Sequence, residues 1–117
     1  MIKIQIDKIR LLREGWLRGY GKVPAPEALD WFEQTYSDSC SERMPPPLVV
    51  PTIFGSIQLE WSFGDVRIDL SVSLKTKTGH FRKTNSLTKE FTEIDYDLQN
   101  SNAWRSIEKH VVSAREE

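Results

Sequence analysis

Residues 44–61 read MPPPLVVPTIFGSIQLEW. Pro45, Pro46 and Pro47 run into Leu48, Val49 and Val50, then Pro51, Gly55 and an alternation that ends on Trp61. Proline fixes φ and removes a backbone donor, so this stretch begins extended and is excluded from the middle of a sheet. A PxxP ligand needs two prolines three positions apart, and none of the prolines at 24, 26, 45, 46, 47 and 51 are so spaced. A flexible linker would leave Leu48, Val49 and Val50 in water. The stretch therefore reads as architecture, a stiff and partly buried crossing over 45–56 from a helical part (1–44) into a sheet.

The sheet begins after Gly55. Ile57, Leu59 and Trp61 face one way and Gln58, Glu60 and Ser62 the other, the period of a strand with one covered face. Phe63-Gly64-Asp65 makes a tight turn, and Val66, Ile68, Leu70, Val72 and Leu74 continue the alternation, with Arg67, Asp69, Ser71 and Ser73 on the wet face. After a turn over 75–79, His80 to Asn85 is a weaker third strand. Thr88 to Leu98 is a fourth with Phe91, Ile94, Tyr96 and Leu98 inward, whose phase changes between Phe91 and Ile94 as a bulge would require.

Upstream, Ile2, Ile4 and Ile6 fit a strand, whereas Ile2, Ile6, Ile9, Leu12 and Trp16 share one face of a helix. The helix-forming run from Ile9 to Glu14 favours a helix over 1–17 that stops near Gly15. A second helix starts at Pro26, with Glu27 and Asp30 suiting its positive end and Leu29, Phe32, Tyr36 and Cys40 as its apolar stripe. A last helix over 100–115 is capped by Asn100, Ser101 or Asn102. It carries Trp104, Ile107 and Val111 inward and Glu108, Lys109, Arg115, Glu116 and Glu117 outward. The expected fold is α+β: an antiparallel meander of three to four strands (57–98) packed on one face by two N-terminal helices and one C-terminal helix.

At 117 residues with 38% hydrophobic and 28% charged residues, the chain has the size and composition of one globular domain, 1–117. No apolar run approaches a membrane span, and the N-terminus lacks the apolar stretch of a secretory signal, so a cytoplasmic protein without membrane contact is expected. One cysteine, Cys40, agrees with a reducing compartment.

Trp16 with Gly19 and Gly21 forms a W-x-x-G-x-G segment, and Pro47, Pro51, Thr52, Gly55, Ile57, Leu59, Glu60 and Trp61 form P-x-x-x-P-T-x-x-G-x-I-x-L-E-W. In these motifs, spread over roughly residues 9–74, the chain resembles a group of small uncharacterised bacterial proteins with no established activity. The resemblance implies the hairpin fold and a bacterial or phage setting. Phe54 departs from it, standing where a turn-forming Asp or Asn is expected beside the glycine.

Few residues of the chain point to a specific chemistry. His80, His110 and Cys40 have no paired metal-ligand spacing, Cys40 reads as a small core residue, and Gly19-Tyr20-Gly21 does not follow a strand or open a lysine-bearing helix as a phosphate loop would. No cofactor, metal or small-molecule ligand is indicated. Glu60 and Asp69, with Arg67 nearby, share the wet sheet face, as in a metal-dependent hydrolase or in plain cross-strand ion pairing. The clearest charge feature is Lys75, Lys77, Arg82, Lys83 and Lys89, uninterrupted by acids on a chain of net charge −1. With His80 and Phe81 they form a candidate partner-binding segment; Trp16, Tyr20, Glu60, Arg67 and Asp69 form a second candidate surface. The expected role is non-catalytic binding of a macromolecule: a protein partner, as in immunity or antitoxin proteins, or else nucleic acid through the basic hairpin, with the hydrolase as a further alternative. The oligomeric state is left open.

Overall fold

The computed structural model describes residues 2–116. Met1, expected in the first helix, and Glu117, expected on the wet side of the last, lie outside these residues. The chain order is α1 (Ile2–Arg10), α2 (Pro26–Ser39), β1 (Leu48–Pro51), β2 (Ile57–Phe63), β3 (Val66–Ser73), β4 (Thr78–Asn85), β5 (Phe91–Asp97) and α3 (Ser101–Glu116). The fold is α+β, and the five strands form one antiparallel sheet in the order β1-β2-β3-β4-β5.

Alternation decides which face is covered. Ile57, Leu59 and Trp61 of β2, Val66, Ile68, Leu70 and Val72 of β3, and Phe81 of β4 are buried on one face, and they join Ile6, Phe32, Trp104, Ile107 and Val111 from the helices in one core. Burying a side chain of this size contributes about 1.5–3 kcal/mol. All three helices pack on that face, so the opposite face is left open. The tryptophan N–H groups that enter the core are satisfied there: Trp61 Nε1 donates to Pro45 C=O at 2.8 Å and Trp104 Nε1 to Leu98 C=O at 3.0 Å. Gly79 allows close packing inside the core, since a Cβ there would stand 2.9 Å from Leu70 Cδ1 and 3.0 Å from Leu98 Cδ1.

The proline stretch is more than a crossing. Leu48–Pro51 pairs antiparallel with β2, Val49 opposite Leu59 and Val50 opposite Gln58, which makes five strands where the pattern predicts three to four. Proline is tolerated because β1 is an edge strand. Thr52 N–H donates to Ser56 C=O at 3.0 Å, so the residues of β1 bonded to β2 are Leu48 and Val50, and the backbone groups at 47, 49 and 51 point away from β2. Pro51 has no N–H to leave unpaired there. Gln5 of α1 takes two of the other outward groups: its Nε2 donates to Pro47 C=O and its Oε1 accepts from Val49 N–H, both at 2.8 Å.

The β2–β3 hairpin turns on Gly64 and Asp65, with Gly64 at φ 59°. Pairing from β4 to β5 runs unbroken from Thr84–Phe91 to Thr78–Asp97, so the bulge inferred from the phase change is absent. Phe91 lies outward on the open face, and Ile94 and Tyr96 pack against the core. The first helix ends earlier than the spacing predicts, at Arg10 rather than near Gly15. Trp16 belongs instead to a glycine loop in which Gly15, Gly19 and Gly21 all have positive φ and Gly15 N–H donates to Gly21 C=O at 2.9 Å. Arg10 joins the first two helices through Asp30 at 2.6 Å and Glu33 at 2.9 Å. The last helix is capped by Asn100, whose Oδ1 accepts from Asn102 N–H at 2.9 Å.

Candidate functional site

Two loops carrying the motif residues lie against each other at one end of the sheet. In the first, Leu17 and Tyr20 bridge, and Trp16 Nε1 donates to Lys22 C=O at 3.1 Å. Gly21, at φ 101°, is where the indole packs: a Cβ would come within 2.7 Å of Trp16 Nε1. In the second, Thr52 and Ser56 exchange backbone and side-chain bonds, and Ser56 Oγ donates to Val72 C=O and accepts from Leu74 N–H at 3.0 Å. Lys22 N–H donates to Ile53 C=O at 2.9 Å and bridges Phe54, which joins the two loops.

Such well-bonded loops hold apolar side chains out of the core. Leu17 is 47% exposed, Tyr20 75%, Ile53 42% and Phe54 81%. Trp16, by contrast, is half-buried and works as a brace for its loop. Phe54 also borders an open groove of about 1010 Å³ over the ends of β2 to β5, whose other lining includes Ser71, Lys75, Thr78, His80 and Asp95.

The basic segment is divided by the strand that carries most of it. His80 and Arg82 point to the open face, Phe81 is fully buried, and Lys83 shares the covered face, bringing its charge beside His110. On the open face the acids of neighbouring strands meet the cations. His80 Nδ1 lies 2.6 Å from Asp95 Oδ1 and His80 Nε2 lies 2.8 Å from Glu93 Oε1, and these hydrogen bonds, Asp95 first, raise the imidazole pKa above its usual value. Arg82 binds Asp69 through Nε at 3.0 Å and Nη2 at 3.2 Å, which raises its own pKa further. Lys75 and Lys77 occupy the β3–β4 turn, with Lys77 Nζ 5.2 Å from the Trp31 ring centroid. Lys89 stands at the far end of β4, in the turn to β5.

The second candidate surface is also divided. Glu60 and Asp69 are direct cross-strand partners, as their alternation predicts. Glu60 is held by Gln58 Nε2 at 3.0 Å, with Arg67 Nη2 at 3.9 Å, while Asp69 is committed to Arg82. Among the described residues no cluster of His, Cys, Asp and Glu is arranged to hold a metal ion. Trp16 and Tyr20 belong to the loop surface instead. Cys40, at the end of α2, is half-buried against the core, and burial, reinforced by Glu108, pushes its thiol up to about 12. It is therefore a protonated packing group at neutral pH. No helix among the described residues is long and apolar enough to cross a membrane.

Sequence reasoning missed Leu17, Ile53, Phe54, Phe91, Glu93 and Asp95. Phe54 carried a signal, as an aromatic in a turn position, whereas Glu93 and Asp95 became relevant only through the register that sets them beside His80. No family model, curated protein or solved structure matches the chain.

Proposed function

We propose that this chain is a non-catalytic protein-binding module, a partner or inhibitor of the immunity or antitoxin kind from a bacterial or phage locus. The observation that carries the reading is the exposed group Leu17, Tyr20, Ile53 and Phe54 on two loops stiffened by backbone hydrogen bonds. Apolar and aromatic side chains held out by a rigid frame lose little conformational freedom on contact and supply the anchors typical of protein interfaces. The distribution of the basic segment favours a protein over nucleic acid, since Arg82 and His80 are matched to acids on their own sheet face. The bacterial or phage setting comes from the motif resemblance.

The test is affinity capture from host lysate with and without nuclease, using the wild-type chain and a Tyr20→Ser/Phe54→Ser variant of equal thermal stability. One protein recovered in stoichiometric amount in both nuclease arms, and lost with the variant, is the expected result. Recovery that disappears on nuclease treatment would replace this reading with nucleic-acid binding through Lys75, Lys77 and Lys89.

A further inference from the structure

The two edges of the sheet are finished differently. At the β1 edge, Gln5 takes the outward Pro47 C=O and Val49 N–H, and Pro51 has no donor, so no outward N–H is left unbonded there. At the β5 edge, the ladder hydrogen bonds fix the parity: Asn85 N–H donates to Glu90 C=O and Leu98 N–H to Lys77 C=O, both at 3.0 Å. The β5 residues bonded to β4 are therefore Thr92, Ile94 and Tyr96. Phe91, Glu93 and Asp95 direct both N–H and C=O outward, and Asp97 its N–H, its C=O accepting from Asn100 N–H at 3.1 Å. Among the described residues, no strand, helix or side chain bonds these outward groups.

We propose that the free edge of β5 accepts an extended basic segment of a partner protein as a sixth strand. This rests on the protein-binding reading for the class of partner but uses a different surface from the two loops. Charge chooses the occupant. Residues 90–104 contain Glu90, Glu93, Asp95 and Asp97 and no lysine or arginine. Phe91, Glu93, Asp95 and Asp97 all present their side chains on the open face beside the edge. Arg82 stands opposite Glu93 but its guanidinium is bound to Asp69, and His80 lies between Glu93 and Asp95, so the four acids outnumber the cations that answer them along this edge. An added strand with Lys or Arg at alternate positions sets cations beside Glu93, Asp95 and Asp97 on the open face, while its backbone satisfies the outward groups. A second copy of β5 would instead set acid opposite acid, so the charges that discourage self-pairing select a basic strand.

The experiment uses the full-length, isotope-labelled chain and, as probe, a short blocked peptide of alternating lysine and valine, with its glutamate-for-lysine counterpart as control. Residue-resolved amide hydrogen exchange is read at millimolar peptide. The expected result is protection of the Phe91, Glu93, Asp95 and Asp97 amides by at least about tenfold. Thr92, Ile94 and Tyr96, already bonded to β4, should change little, and added salt should reverse the effect. Asp95→Pro removes an outward N–H without removing a β4 bond and should abolish the protection; Asp95→Asn should retain it at lower affinity. No protection, equal protection by the acidic peptide, or concentration-dependent protection without peptide would each overturn the proposal. Should Asp95→Pro fail to fold, the wild-type exchange pattern and Asp95→Asn decide alone. Lysate capture retained by a folded Asp95→Pro chain but lost by Tyr20→Ser/Phe54→Ser would overturn the edge proposal and leave the protein-binding reading standing.

Discussion

His80 and His110 are pulled in opposite directions by their surroundings. His80, between Asp95 and Glu93, binds its proton more tightly in the folded chain. Its contribution to stability is complete below the unfolded value of about 6.5 and is lost as pH rises through the raised folded value. His110, 5.1 Å from Phe81 between ring centroids, has its pKa lowered first by burial and then by Lys83 and Lys109. Its contribution is complete above about 6.5 and is lost as pH falls through the lowered folded value. Urea midpoints measured over about pH 5 to 8 should therefore lose part of their alkaline decline in His80→Gln and part of their acid decline in His110→Gln. An acid decline as steep in His110→Gln as in wild type would remove burial of this imidazole as its cause. Gly21 gives a sharper residue-scale prediction. Gly21→Ala brings a Cβ to 2.7 Å from Trp16 Nε1 at φ 101°, so denaturation should show a loss of about 1–3 kcal/mol with altered Trp fluorescence.

At the scale of elements, the contrast between the two sheet edges makes Gln5 the residue to change. Gln5→Ala leaves Val49 N–H and Pro47 C=O without their partner, which should cost about 1–3 kcal/mol. It should also increase association through β1 relative to wild type in sedimentation. Unchanged stability and association would mean that this side chain contributes nothing to closing the edge. The same strand shows why local rules ran out. Ile57 to Leu74 could be read directly, because strict alternation leaves one assignment of faces. Leu48–Pro51 could not, because exclusion of proline from a sheet interior does not specify whether the chain serves as an edge, and the Gln5 that bonds this edge is 42 residues from Pro47. Trp16 fitted a helical face by spacing, yet three glycines at positive φ claimed it for a loop. For the candidate site, composition revealed the cations from Lys75 to Lys89, but a strand sends alternate residues to opposite faces and the acids that answer them come from β3 and β5. That pairing is a property of register.

Across the whole molecule, every pair of adjacent strands is antiparallel and consecutive in sequence, so the sheet is built from short-range connections. The helical layer closes differently. Ser41, just beyond α2, donates from its N–H and Oγ to the Glu108 carboxylate at 2.6 and 2.9 Å, joining residues 67 apart, and Phe32 and Tyr36 meet Trp104 in the same seam. Chain entropy makes such a closure late, since the hairpins form before the distant ends of the chain are brought together. Loss of its contacts should therefore act after the folding barrier: Glu108→Ala should speed unfolding about fivefold for each ~1 kcal/mol lost and leave the refolding rate nearly unchanged. Leu70→Ala, in the middle of the sheet, should slow refolding in stopped-flow measurements. If Glu108→Ala slows refolding instead, the seam forms early and the order is reversed. In the expected order the helical cover is the last part to lock and the first to loosen, and the sheet beneath persists longest during unfolding.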